Sequence, residues 1–319
     1  KDINEIANDA DFLFSLLGGS LWSWKMVKLI SKQIWKKGFR NLINWFGGAL
    51  ISARTWLESS YSHPLPQALF APWVLHTGLT PESTYSGQMG KVIAFALEAA
   101  GAPIIKGGSG QAVSAFKSLI EANGGRFLAA TDVNKIVVKN GKVTGVIITG
   151  GKKIEAPSVI ASVTPGQLYD RLLSDSSTET INEKGNFRHG RGNFQIHYAL
   201  DAPPEWNDPK LSEVALIHLS DGIDAVSKSA NEAERGMLPE TPTICVGQPT
   251  ALDPTRCPAG KSVLWIQIPD APSTIKGDAA GIIDSGSEWD DKITELFADR
   301  IEGLLKNHIK NFTNIKLQR

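Results

Sequence analysis

Between Ile104 and Val163 glycine interrupts the chain at short intervals: Gly107-Gly108-Ser109-Gly110, Gly124-Gly125, Asn140-Gly141 and Gly150-Gly151. The stretches between these steps have room for one helix and a series of short strands, so this region must turn tightly and mix the two. Gln111 to Ala122 places Val113, Phe116, Leu119 and Ile120 on one helical face. Arg126 to Ala130, Asn134 to Lys139 and Val143 to Thr149 are expected as three strands. Asn140-Gly141 is a two-residue hairpin signal, because both central positions of the turn need positive φ. Ser158 to Val163 is a short apolar run, expected as a strand buried on both faces.

The first hundred residues have a different texture. They hold Trp22, Trp24, Trp35, Trp45, Trp56 and Trp73, six of the nine tryptophans. Between positions 20 and 60 the basic residues are Lys25, Lys28, Lys32, Lys36, Lys37, Arg40 and Arg54, against Glu58 alone. Trp24, Val27, Ile30 and Ile34 recur at helical spacing while Lys25, Lys28, Lys32 and Lys36 run along another face, which makes an amphipathic helix. Lysines break its apolar runs well short of the ~18 residues of a membrane span. Two readings stay open: the tryptophans and lysines dock on an anionic membrane surface, or the tryptophans are core and the lysines merely solvated. Prolines 64, 66 and 72 are expected to cut Leu65 to His76 into short pieces. A helix over Tyr85 to Ala100 should stop at Gly101-Ala102-Pro103.

Beyond Phe187 the pattern is that of a mixed sheet. Phe194 to Leu200, Val214 to Leu219, Thr241 to Val246 and Ser262 to Ile268 are expected strands; Ala225 to Arg235 and Trp289 to His308 are expected helices. The 33 basic and 33 acidic side chains leave no surplus for general nucleic-acid binding, and the 42% apolar content excludes a disordered chain. The two cysteines, Cys245 and Cys257, have no histidine near them in sequence, which excludes a disulfide scaffold and gives no zinc spacing. No metal site is therefore expected. No basic n-region followed by an apolar run resembles a signal peptide, so the expected location is cytoplasmic, with peripheral membrane contact through residues 20–60 as the option raised above. Lys1 at the start suggests a processed chain or an internal piece of a longer one.

Familiar catalytic motifs fail on inspection. Gly260-Lys261-Ser262 lacks the opening glycine of a phosphate-binding loop, since Thr255 stands there. Gly108-Ser109-Gly110 continues to Val113 where a dinucleotide fingerprint has its third glycine. Asn311-Phe312-Thr313 matches a glycosylation acceptor by chance. Of the six histidines, His76 stands out because it follows Pro72-Trp73-Val74-Leu75 and precedes a Gly78 turn. Arg188 and Arg191 flank His189 in a glycine-punctuated segment, either a solvated loop or an electropositive site. His76 and Arg191 are the two weak catalytic candidates.

Five short runs then occur in order: Lys106-Gly107-Gly108-Ser109-Gly110-Gln111-Ala112-Val113, Glu121-Ala122-Asn123-Gly124-Gly125, Thr131-Asp132-Val133-Asn134-Lys135-Ile136, Gly141-Lys142-Val143-Thr144-Gly145-Val146, and Val159-Ile160-Ala161-Ser162-Val163-Thr164-Pro165. Together they resemble the phytoene desaturase-like FAD-dependent oxidoreductases, which include carotenoid desaturases and retinol saturase. The likeness is looser over the helical first third, where Ala68 to Gly78 still looks like the family, and over residues 190–310.

This resemblance implies an α/β (α+β) fold, part of a two-domain Rossmann-like flavoprotein of the amine oxidase and phytoene desaturase type. Its implied domains are 1–103, the helical part of a substrate domain; 104–168, part of an FAD-binding domain; and 169–319, a mixed-sheet substrate domain with a C-terminal helix. The implied cofactor is FAD. Gly107 and Gly108 would let backbone approach closely, Asp132 and Val133 would lie at the adenine edge with Val133 pairing through its backbone, and Ala161 and Thr164 would belong to the segment returning to the cofactor. The implied activity is flavin hydride transfer on an apolar, carotenoid- or retinoid-like small molecule by a desaturase, saturase or isomerase. The family's Gly-x-Gly-x-x-Gly turn and its closing glycine-rich segment have no counterpart here, which implies an internal fragment, inactive alone and a weak holder of FAD. Two related readings are a flavin amine oxidase and a non-catalytic prenyl- and protein-binding relative of the GDP-dissociation-inhibitor type. The chain gives no indication of oligomeric state.

Overall fold

A computed structural model of the chain describes residues 2–173, 187 and 189–319. Its Cα framework divides into two compact units, Lys1–Ser109 with Gly190–Arg319, and Gly110–His189. The expected helix-rich start is borne out by α1 (Asp2–Gly18), α2 (Trp24–Lys37), α3 (Phe39–Ala49), α4 (Ala53–Ser60), α5 (Pro64–Leu75) and α6 (Ser86–Ala100). Ser23 caps α2 by accepting from the Met26 N–H, and Ser52 caps α4 by accepting from Thr55. Prolines do not cut α5: Pro64 opens it, where a missing N–H costs nothing, and Pro72 is carried inside it.

The buried stripe of α2 is not the one that the tryptophans suggest. Met26 is buried, whereas Trp24 and Trp35 are 82% and 93% exposed and Val27 is open too. Lys37 lies on the Met26 face and reaches Asp9 of α1 at 2.5 Å, so that face is held against α1. Trp56, by contrast, is buried with Leu57, Ala71, Leu75, Ile223, Val226 and Ala230.

The smaller unit contains α7 (Gly110–Ala122) and an antiparallel meander of β1 (Val133–Lys139), β2 (Lys142–Ile148) and β3 (Lys153–Glu155). Asn140 and Gly141 have φ of 51° and 74°, the two positive values that the hairpin requires. Gly145 has φ 147°, and a Cβ there would lie 2.1 Å from the Ile154 carbonyl oxygen, so only glycine lets β3 approach. Two expected strands do not form. Arg126 to Ala130 and Ser158 to Val163 find no ladder partner among the described residues, and Phe127, Leu128 and Ile160 are exposed. An apolar run becomes a strand only where a neighbour satisfies its backbone.

The larger unit continues with β4 (Gly192–Leu200), β5 (Leu216–Leu219), α8 (Ile223–Glu234), β6 (Met237–Leu238), β7 (Ile244–Gly247), β8 (Ser262–Ala271), β9 (Gly277–Asp278), α9 (Asp291–Leu305), α10 (Phe312–Ile315) and β10 (Lys316–Gln318). Five of these strands form one antiparallel sheet in the order β10-β4-β8-β7-β5. Ile196, Tyr198 and Leu200 of β4, Ile244 and Val246 of β7, and Leu264, Ile266 and Ile268 of β8 share one core with Phe297, Ile301 and Leu305 of α9 and Phe312 of α10.

A buried ion pair ties α9 to the short β6–β9 pair. Arg300 forks onto both Asp278 oxygens at 2.7 Å and also donates to the Pro239 carbonyl at 2.8 Å. The N–H groups of Ile282 and Ile283 donate to the same carboxylate. Burial alone would raise the Asp278 carboxyl, but Arg300 and the Ile283 and Ile282 amides outweigh it and hold the group at about 2. Its native pKa is depressed, so its stabilising contribution is present above the ordinary value near 4 and is lost as pH falls towards about 2. Asp278→Ala leaves Arg300 buried without its partner, and urea unfolding should show a loss of ~3–5 kcal/mol. A loss below ~1 kcal/mol would show that the pair does not hold this unit together.

Candidate functional site

The alternation that builds the core also builds a second face on the same sheet. In β4 and β8 the residues between the core positions include Gln195, His197, Trp265 and Gln267. Gln195 pairs with Gln267, Gln267 with Cys245, and Cys245 with His218, so one row of four polar or sulfur-bearing residues crosses four strands. The next row runs from His197 through Trp265 to Gly247. A Cβ on Gly247 would meet the Trp265 ring at 1.9 Å, so glycine there makes the space in which the indole lies.

The outer end of the first row meets the end of α5. His76 caps that helix, and its Nε2 lies 2.9 Å from the Nε2 of His218. One ring must donate and the other accept, which requires the accepting ring to be neutral at Nε2. Trp73 packs against both rings, with centroids 5.2 Å from His76 and 4.8 Å from His218. Burial lowers the His76 pKa even though the ring keeps an open edge. Burial, with His76 beside it, lowers His218 to about 4. The Cys245 thiol is fully buried and pushed up to about 12. At neutral pH this is a cluster of two uncharged imidazoles and a protonated thiol.

Arg191 converges on the same turn. Its guanidinium donates to the carbonyls of Gly78 and Leu79 at 3.3 and 3.2 Å and pairs with Glu234 at 2.6 Å. Arg191 Nε, Asp270 Oδ1 and Thr243 Oγ1 are buried without a hydrogen-bond partner, while the Ser229 hydroxyl donates to the other Asp270 oxygen. Arg188 lies outside the described residues.

The residues expected at a cofactor divide between the two units. In the larger one, Gly107 and Gly108 have φ of 77° and 94° and lead into the helix, and the Gly107 N–H donates to Asp253 at 2.7 Å. Arg256 pairs with Asp253 and donates to the Ile105 carbonyl, which fixes the turn. The Thr255 hydroxyl, the Gly107 amide and Arg256 hold the Asp253 carboxyl at about 2. In the smaller unit Asp132 pairs with Arg171 at 2.7 Å, its carbonyl accepts from Thr149, and its carboxylate meets the Val133 N–H. Thr164 accepts from the Gln167 N–H with its side chain and from Leu168 with its carbonyl. Ala161 stands in irregular, exposed chain, because the strand expected around it does not form.

Sequence reading singled out His76 and Arg191 and missed His218, Cys245, Gln195, Gln267 and Trp265. Spacing along the chain gave no metal-ligating set; the fold nevertheless brings His76, His218 and Cys245 within 4.8 Å of one another. The period-2 pattern of β4 and β8 held a signal for the second face, since Gln195 and His197 alternate with Phe194, Ile196 and Tyr198.

No family model matches the chain. It is 26% identical over 231 residues to the rat pyridine nucleotide-disulfide oxidoreductase domain-containing protein 2, covering 67% of this chain and 38% of that one. It is 25% identical over 164 residues to the zeta-carotene-forming phytoene desaturase of Myxococcus xanthus, covering 51% of this chain and 30% of that one. The chain is similar to phytoene desaturase-like oxidoreductases. It spans 38% and 30% of the length of these two relatives. A solved oxidoreductase from Methanosarcina mazei is 17% identical, with a TM-score of 0.49 and coverage of 90% of this chain and 57% of that one.

The buried carboxyl of Asp270 beside Arg191 gives a test of the site's electrostatics. Burial raises Asp270 to about 6, against hydrogen bonds from Ser229 and Thr243 that lower it. A raised carboxyl favours the protonated fold, so its contribution is present below the ordinary value near 4 and is lost as pH rises through about 6. Asp270→Asn should flatten the change in Tm between pH 4 and 7 relative to the unmodified protein. Parallel Tm profiles would show that Asp270 does not titrate in the fold.

Proposed function

We propose that this chain is part of an FAD-dependent oxidoreductase, of desaturase, saturase or isomerase type, that acts on an apolar, carotenoid- or retinoid-like substrate. The observation that carries this reading is the kinship over half of the chain with a protein named as a phytoene desaturase. FAD, when bound, supplies the hydride-transfer chemistry, and the protein supplies orientation and exclusion of water. The residues present fit such a group through backbone: a Cβ on Gly108 would meet nothing within 4 Å, so the turn leaves its main chain approachable. Val133 opens β1 at an irregularity in the ladder, and its N–H meets the Asp132 carboxylate, which also pairs with Arg171.

The whole protein carrying this chain should purify yellow with a flavin spectrum. A colourless protein that gains no bound flavin on mixing with FAD would sink the reading. Proline is tolerated at the first residue of a strand but has no N–H, so Val133→Pro should weaken FAD by about 10-fold, the worth of one backbone hydrogen bond. Val133→Leu should bind as the parent does. Equal affinity for both variants would remove Val133 from the cofactor site.

The same reading includes collection of a lipid-soluble substrate from an anionic membrane surface by α2 and the Trp22 that precedes it. Trp22 and Trp35 are 98% and 93% exposed. Lys25, Lys28 and Lys32 rim a groove of about 630 Å³ whose walls include Phe14, Met26 and Leu29. Apolar rings beside a lysine stripe suit a headgroup region that is negatively charged. No helix among the described residues is long and apolar enough to cross a membrane. In flotation assays the protein should bind vesicles containing anionic lipid, lose binding at high salt, and lose it in the variant W22A/W24A/W35A. Equal recovery with and without anionic lipid would remove the membrane step.

A further inference from the structure

We propose that His76, His218 and Cys245 form a three-ligand site for a divalent transition-metal ion of the zinc class, with a fourth position open to solvent beside His76. Two imidazole nitrogens and a thiolate are a donor set suited to such an ion and unsuited to the oxygen-seeking magnesium or calcium. All three ligand atoms lie within 4.8 Å of one another. The two Nε2 atoms are 2.9 Å apart. Tetrahedral zinc with Zn–N of about 2.0–2.1 Å would set them about 3.3 Å apart, so the rings need to part by only a few tenths of an ångström.

Rigidity is distributed in a way that suits this. His218 and Cys245 are direct partners in the β5–β7 ladder, which fixes two ligands on one face of the sheet. His76 sits at the end of α5, where the chain turns towards Gly78. Trp73 packs against both imidazoles and limits their rotation. Burial of Cys245 excludes water from the sulfur side, while the exposed edge of His76 provides entry for the ion.

Binding is balanced as follows. The Cys245 thiol releases one proton to solvent and coordinates as thiolate, and each imidazole offers the Nε2 lone pair. The ring that carried its proton on Nε2 in the His–His hydrogen bond carries it on Nδ1 instead.

The test uses cobalt(II) as the spectroscopic probe, added to the reduced, metal-stripped chain. We expect a near-ultraviolet thiolate-to-cobalt band that saturates at one equivalent and is displaced by zinc. Cys245→Ser should abolish that band, and Cys257→Ser should leave it intact. His76→Ala, in a variant whose circular dichroism is unchanged, should weaken binding by about 100-fold or more, at least the loss known for residues that only support a ligand. No thiolate band, or a band that survives Cys245→Ser in a variant with unchanged circular dichroism, would overturn the site and leave the pair as a structural His–His hydrogen bond. The readout involves no flavin and no turnover, so it stands or falls separately from the oxidoreductase reading.

Discussion

The pairing of β4 with β8 is the constraint on which the larger unit depends. These strands run antiparallel in register from Phe194 opposite Ile268 to Leu200 opposite Ser262. Because side chains alternate across a sheet, this register sends Ile196, Tyr198, Leu264 and Ile266 to the core under α9 and α10, and sends Gln195, His197, Trp265 and Gln267 to the opposite face. A one-residue slip would exchange the two faces completely. Burial of one face therefore fixes the polar row on the other, and β7 and β5 extend that row to Cys245 and His218.

What meets the row is set by a second layer of interactions. Arg191 lies at the start of β4 and holds the carbonyls of Gly78 and Leu79, so the turn that carries His76 is anchored to the same sheet it faces. The anchoring group is itself buried near Asp270 and paired with Glu234. A charge in such a place is tolerated because its partners surround it, and removing any one of them disturbs the others. The two residues picked out from sequence as weak candidates are thus linked through one turn of backbone, His76 at its start and Arg191 across its carbonyls.

The smaller unit shows where local chemistry is decisive and where it is not. The Asn140-Gly141 turn and the two strands beside it follow directly from residue type, since few other residues accept both positive φ values. The apolar runs around Phe127 and Ile160 carry the same kind of signal but lie outside any ladder, with Ile160 fully exposed. Hydrophobic content makes a strand possible, and a partner backbone makes it real. The tryptophans divide in the same manner: Trp56 is enclosed by α5 and α8, while Trp24 and Trp35 stand in solvent because Met26 and Lys37 take the face of α2 that meets α1.

The sequence by itself determined the helical start, the Asn140-Gly141 hairpin, the long alternating strands β4 and β8, and the likeness to desaturase-like oxidoreductases, because each rests on residues close together in the chain. Turn conformations, helix caps and alternation are local properties and can be read locally. Only the tertiary structure decided which stripe of α2 is buried, which apolar runs gain strand partners, and which side chains meet. His76 and His218 are 142 residues apart, and nothing in their surroundings along the chain marks them as neighbours. Their contact exists because β5 pairs with β7 in one register and because α5 ends beside that edge. Long-range contacts of this kind are consequences of packing, and packing depends on the whole set of faces that the chain must bury at once.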